Sequence, residues 1–220
     1  GGKTMLVDVC FRLVGSEIPI DHGYALYSCV SRLIPFLHAS DSIGIHPISG
    51  IPSGKGRLLL TDLSRVSLRI PVESFREVLP LAGQNIEIVV AGQKFQFRTG
   101  IPEVYQLKPV TSVWSRTVVI KLSESEKQKV TPTREMFLES LKKQIESLGV
   151  KGTVKIESSL DSQGREAGRK ILNIKGKLVV GYTVTVSGLS GEDSIKLQES
   201  GLGGRRKMGC GVFVPAGEKP

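Results

Sequence analysis

The chain has 220 residues, 40% hydrophobic and 23% charged, enough for one large or two small globular domains. No apolar run approaches the ~20 residues of a membrane span, and three scattered cysteines without a C-x-x-C pair argue for a reducing compartment and against a disulfide framework or a zinc site. Thirty Lys/Arg against 21 Asp/Glu give a net charge of +9, a balance that favours polyanions such as nucleic acid.

Residues 5–13 (MLVDVCFRL) alternate apolar and polar and predict a first strand. Asp21 is the expected N-cap of a helix over 22–37, with Leu26, Val30, Leu33 and Leu37 on one face and Pro35 kinking or ending it. A short strand is expected at 43–48, a loop at 50–56 and another strand within 57–70. Pro71 opens a short helix over 72–79, and 85–91 with 94–98 form a strand and its hairpin extension. The second half repeats this order. A β-branched strand covers 113–122. A helix from Thr131-Pro132 to Leu148 carries Phe137, Leu141, Ile145 and Leu148 on its apolar face and stops at Gly149. A strand at 152–158 and a polar loop at 161–170 come next. A hairpin of 171–174 with 178–186, a short helix over 190–200 and a closing strand at 211–215 complete the half. The fold class expected is α+β, with two tandem ferredoxin-like (RRM-like) β-α-β-β-α-β domains over 1–110 and 111–220.

The charge is uneven. Residues 1–112 hold 11 Lys/Arg against 9 Asp/Glu, a net of +2, and residues 113–220 hold 19 against 12, a net of +7. The second half is therefore the expected electrostatic footprint. Its most distinctive stretch is residues 201–211. Gly201, Gly203, Gly204, Gly209 and Gly211 surround Arg205, Arg206 and Lys207, with no acid among the eleven. Glycine permits positive φ, and successive N–H groups can form an anion-binding concavity. The stretch reads either as a phosphate-backbone clamp or as a glycine-rich hairpin with solvated charges. Arg165, Arg169 and Lys170 in the 161–170 loop are further phosphate candidates. Lys142 and Lys143 are weaker ones, on a helix where Glu139 and Glu146 are interleaved.

Only three histidines occur, His22, His38 and His46, all in or just after the first helix. A histidine titrates near neutrality and suits proton transfer to ribose and phosphate oxygens, although a hydrogen-bonded structural role is the commoner one. The run Gly50–Lys55 is one residue short of a P-loop and lacks the following Ser/Thr, so nucleotide hydrolysis is not expected. No histidine pair has metal-ligand spacing and no carboxylates cluster, so neither a metal nor a cofactor is expected. The N-terminus shows no basic stretch followed by an apolar one, and a cytoplasmic location without a membrane partner is expected.

Residues 201–211 fit Gly-hydrophobic-Gly, five residues, Gly-hydrophobic-Gly. That pattern resembles the C-terminal signature of the CRISPR-associated endoribonucleases that cut repeat RNA into guides, the sixth Cas family. Ile18–Tyr27 (IPIDHGYALY) is similar to that family's first-helix entry, and Phe36-Leu37-His38 to the place where many members carry a catalytic histidine. Gly44-Ile45-His46-Pro47-Ile48 resembles the myxan-type branch. The resemblance implies metal-independent cleavage of precursor CRISPR RNA. The 2′-OH attacks the adjacent phosphate and leaves a 2′,3′-cyclic phosphate and a 5′-OH. His38 would be the first candidate for proton transfer, His46 the second, His22 the third, and Tyr27 a positioning group. The implied partners are a repeat RNA hairpin and the other Cas proteins of a type I guide complex. The competing expectation is a non-catalytic RNA-binding subunit of a ribonucleoprotein.

Overall fold

The computed structural model describes residues 4–120 and 133–217. Two compact units divide the chain near Leu107. The first comprises the residues up to Leu107 together with Arg206–Gly209, and the second runs from Lys108 to Arg205 and resumes at Cys210.

In the first unit the strands are β1 (Leu6–Gly15), β2 (Glu17–Pro19), β3 (Gly44–Ile45), β4 (Ile51–Pro52), β5 (Arg57–Leu59), β6 (Arg65–Pro71), β7 (Asn85–Val90) and β8 (Gln93–Gln106). The helices are α1 (Gly23–Leu33) and α2 (Phe75–Val78), the latter between 3-10 turns. The main sheet has the order β3-β6-β1-β8-β7 with every pair antiparallel, the strand order of a ferredoxin-like unit carrying an extra hairpin strand. A small sheet β2-β5-β4 lies apart from it. The alternation of β1 works as expected. Val7, Val9, Phe11 and Leu13 enter a core with Leu26 and Val30 of α1, Leu68 and Ile70 of β6, and Phe95 and Phe97 of β8. Asp8, Cys10 and Arg12 occupy the other face.

Several expected bounds shift. The N-cap position of the first helix is His22 rather than Asp21, with no capping bond from its side chain, and the helix ends at Leu33 instead of Leu37. The reason is Pro35: Ile34, the residue before it, is pushed to φ −129° and ψ 83°, out of helical space, and Pro35–His38 continues as a 3-10 turn. The strand expected within 57–70 is two strands, β5 and β6, separated by a turn in which Ser64 Oγ accepts from Thr61 N and donates to Ser49 O. β8 runs far beyond Arg98, because a bulge within β8 itself, where Gly100 and Ile101 together face Arg12 of β1, lets the Gly100–Pro102 stretch stay in the sheet.

The second unit contains β9 (Val113–Val118), α3 (Arg134–Ser147), β10 (Thr153–Ile156), β11 (Arg169–Ile174), β12 (Lys177–Ser187), α4 (Gly191–Ser200) and β13 (Val214–Pro215). Its sheet order, β10-β12-β9-β13 with β11 beside β12, repeats the ferredoxin-like order with antiparallel pairs. Thr133 caps α3 by accepting from Met136 N, and Ser190 caps α4 by accepting from Asp193 N. Phe137, Leu141 and Ile145 of α3 meet Tyr182, Val184 and Val186 of β12, with the Phe137 and Tyr182 rings edge-on at 4.8 Å. The expected helix start at 131–132 and the strand end at 121–122 fall outside the described residues. Arg169 and Lys170 belong to β11, not to the preceding loop, and the closing strand is only Val214–Pro215.

Candidate functional site

The three histidines have different fates. His22 is 2% exposed, its Nδ1 donates to Pro19 O at 2.8 Å, and its Nε2 accepts from Ile48 N at 2.9 Å. That pattern fixes a neutral tautomer and uses both ring nitrogens in the fold. His46 is 5% exposed, with Nε2 3.0 Å from Asp8 Oδ1. His38 is exposed at the end of the 3-10 turn after α1. Tyr27 of α1 brings its hydroxyl to 3.5 Å from His38 Nδ1, the outer limit of a hydrogen bond, with the rings edge-on at 6.2 Å. Tyr27 and His38 are thus brought together, while His46 joins a different network.

That network was not legible in sequence. Asp8, on the polar face of β1, takes both arms of the Arg69 guanidinium, Nε to Oδ1 at 2.9 Å and Nη2 to Oδ2 at 2.9 Å. Burial raises the Asp8 pKa, but His46 and Arg69 outweigh it and hold the carboxyl far below the usual range. Arg69 is 1% exposed. Arg206, from the glycine-rich stretch, joins the same surroundings. Its Nη1 donates to Ser42 O at 3.3 Å, and burial with repulsion from Arg69, eased by Asp8, pushes its pKa down to about 10, still cationic at neutral pH. Ser42 lies four residues after His38, so Arg206 holds the segment that follows the histidine. An arginine between Leu68 and Ile70 in mid-strand was the available sequence signal.

The amides of the glycine-rich stretch bear on its two readings, the clamp and the hairpin. Gly201 N donates to Leu197 O, Gly203 N to Gln144 Oε1, Gly204 N to Val119 O, Gly209 N to Arg206 O, Cys210 N to Arg205 O and Gly211 N to Thr117 O. These six amides are spent inside the fold and form no anion cradle. Gly203 and Gly211 have φ of 72° and 68°, and a Cβ on either would overlap the carbonyl oxygen of Val119 or Leu202. Here glycine serves close backbone packing. Arg206 is buried, Arg205 exposed and Lys207 half-buried, so two of the three cations are accessible.

Of the other basic candidates, Lys142 lies 3.7 Å from Glu139, and Arg165 pairs with Asp161 at 3.1 Å. Arg169 and Lys143 are exposed. Lys170 is half-buried and donates to Ala167 O at 3.1 Å; burial and then Arg116 lower its pKa, against Glu157. Burial also lowers Arg116, on β9. Arg116 and Lys170 therefore form a half-buried cationic pair, and sequence reading missed its Arg116 half. Among the described residues no group of three or more His, Cys, Asp or Glu side chains is placed to hold a metal ion. Among the described residues no helix is long and apolar enough to cross a membrane.

Comparison with known proteins agrees with this architecture. A family model described as Cas6 Crispr matches residues 7–218. The CRISPR-associated endonuclease Cas6 of Myxococcus xanthus (strain DK1622) is 36% identical over 217 residues, which cover 99% of this chain and 84% of that protein. Among solved structures, a CRISPR associated protein Cas6 superposes with a TM-score of 0.64 at 13% identity, covering 97% of this chain and 100% of the other. An RAMP protein described as binding different RNA substrates superposes with a TM-score of 0.62 at 17% identity, covering 96% and 98%. With a family match over almost its whole length, this chain belongs to the Cas6 family of CRISPR-associated endonucleases.

Proposed function

We propose that the protein is a metal-independent endoribonuclease that binds a CRISPR repeat hairpin and cuts precursor CRISPR RNA into guides. The observation that carries this reading is the exposed His38 with Tyr27 at its Nδ1. The Tyr27 contact leaves Nε2 as the nitrogen for the substrate. Family membership and the RNA-binding description of a structural neighbour support the choice of substrate. In the reaction the 2′-oxygen loses its proton and attacks the adjacent phosphorus. The P–O5′ bond breaks and O5′ takes up a proton. The products are a 2′,3′-cyclic phosphate and a 5′-OH, and no water or metal enters the balance. His38 moves a proton in this sequence, and Tyr27 orients its ring. His22 and His46 keep the fold in order. The catalytic share falls to residues 1–110 and much of the RNA contact to residues 111–220. The enzyme then stays on its product in the cytoplasm, as a subunit of a type I guide complex with other Cas proteins.

Repeat RNA incubated with the protein in EDTA is expected to be cut. The same RNA with a single 2′-deoxy at the cut site is expected to remain intact, as read on a denaturing gel. Cleavage of both would exclude 2′-OH attack, and loss of cleavage in EDTA would exclude metal independence. Retained binding without any cleavage would favour a non-catalytic RNA-binding subunit.

In the second unit the RNA contacts are Arg205, Arg169 and the Arg116–Lys170 pair, where a phosphate would relieve the mutual repulsion of two half-buried cations; in the first unit Lys207 is a further one. Each phosphate contact adds about 0.7–0.9 to the slope of log affinity against log salt. Replacing Arg205 and Lys207 together by alanine is expected to flatten that slope by roughly 1.4–1.8. A slope that does not change removes this stretch from the RNA surface.

A further inference from the structure

Five residues of α3 and its C-cap, Ser140, Lys143, Gln144, Ser147 and Leu148, share one helical face by their three- and four-residue spacing. With Ser200, Gly201, Leu202 and Gly203 at the end of α4, they line a cavity of about 380 Å³ within the second unit. A nucleotide fits a cavity of this order.

The polarity of the walls is fixed by hydrogen bonds already made. Gly203 N donates to Gln144 Oε1 at 2.8 Å, and an N–H can face only the oxygen of that amide. Gln144 therefore offers its NH2 to a ligand. Ser147 Oγ donates to Lys143 O at 2.9 Å, and Ser200 Oγ donates to Gly201 O at 3.1 Å. Each hydroxyl has one hydrogen, so both serines offer lone pairs. The cavity thus presents a donor and acceptors side by side. Leu148 and Leu202 supply apolar surface.

Phosphate suits the interior poorly. Both α3 and α4 end here, and helix C-termini carry negative partial charge. Lys143, the one cationic side chain of the lining, is exposed. We infer that this cavity receives one unstacked nucleobase of the bound RNA, read along its edge by Gln144, Ser147 and Ser200, with its phosphate outside near Lys143. This deepens the RNA-processing reading above and rests on it for the source of the base.

Nucleoside monophosphates test the cavity without the full RNA. AMP, GMP, CMP and UMP are titrated separately into the ¹⁵N-labelled full chain, with ribose 5-phosphate as the control. At least one nucleotide is expected to shift the amides of Gly201, Leu202 and Gly203 and the side-chain amide of Gln144, with ribose 5-phosphate leaving them in place. Gln144→Glu keeps the acceptor for Gly203 N but loses the NH2, and is expected to weaken that nucleotide at least tenfold. Equal shifts with ribose 5-phosphate would make this a phosphate site and overturn the inference. No shift from any nucleotide at millimolar concentration, or full affinity in Gln144→Glu, would also overturn it. A chain that binds a nucleotide here yet fails to bind repeat RNA would leave the cavity standing and sink the RNA-processing reading.

Discussion

His38→Ala is expected to slow repeat-RNA cleavage by about 10²- to 10⁴-fold, the range that a positioned general acid or base supplies, with RNA affinity unchanged. The side chain is exposed, so its removal costs the fold little. Single-turnover cleavage and equilibrium binding, measured on the same preparation, separate the two effects. Tyr27→Phe keeps the ring against His38 and removes only the hydroxyl, so a smaller loss is expected, confined to the cleavage step. His22→Ala acts differently. It removes partners from Pro19 O and Ile48 N in a buried setting, and the loss should appear in the melting transition. Cleavage by His38→Ala at the wild-type rate would end the case for His38.

Asp8→Asn is expected to cost about 3–5 kcal/mol of stability, the usual effect of breaking a buried ion pair from one side. The bidentate pair leaves Arg69 1% exposed, and Arg206 lies close enough to raise the local positive charge further. Asparagine cannot balance two guanidinium groups, and His46 loses its carboxylate partner as well. Urea unfolding monitored by circular dichroism measures the cost. The acid dependence follows from the folded carboxyl lying below its ordinary value of 3.8. A depressed acid contributes stability above its unfolded pKa and loses it as pH falls through the folded one. Wild type should therefore lose stability below about pH 4 by a component that Asp8→Asn lacks, and the gap between them should narrow in acid. A gap that stays constant across that range would show that the charge of Asp8 is not what stabilises the unit.

The alternating strands and the periodic helices were legible because burial on one face leaves its mark residue by residue. The paired ferredoxin-like order followed from them. Asp8 was not legible. In MLVDVCFRL it is indistinguishable from a solvent-facing polar residue of a half-buried strand, and only the registration of β1 with β6 brings Arg69 to it. The residues after Arg98 were not legible as strand because they hold Gly100 and Pro102, whereas a bulge at Gly100–Ile101 keeps them in the sheet. Residues 201–211 were legible as a family signature, but not in the partners their amides take. Glycine with cations is the composition of an anion cradle, and also of a backbone packed against its own carbonyls. Composition does not tell which partner an N–H will find. Nor does it tell that the middle cation of Arg205-Arg206-Lys207 is buried while the first is exposed. His38 and Tyr27 were legible as candidates, but their pairing needed the 3-10 turn that Pro35 imposes.

The first unit is discontinuous in sequence. Arg206–Gly209 belongs to it, and Gly23 at the start of α1 lies so close to Met208 that a Cβ would overlap its carbonyl oxygen. During synthesis from the N-terminus, the roughly 100 residues between Leu107 and Arg206 take on the order of 5–20 s to emerge. Throughout that interval the surface that Arg206 and Met208 later cover is open to water, and the Asp8–Arg69 pair is less shielded than in the finished protein. The nascent N-terminal half is thus a folding intermediate that awaits its last piece from the far end of the message. A frameshift or nonsense codon late in the coding sequence would injure the half of the protein made first.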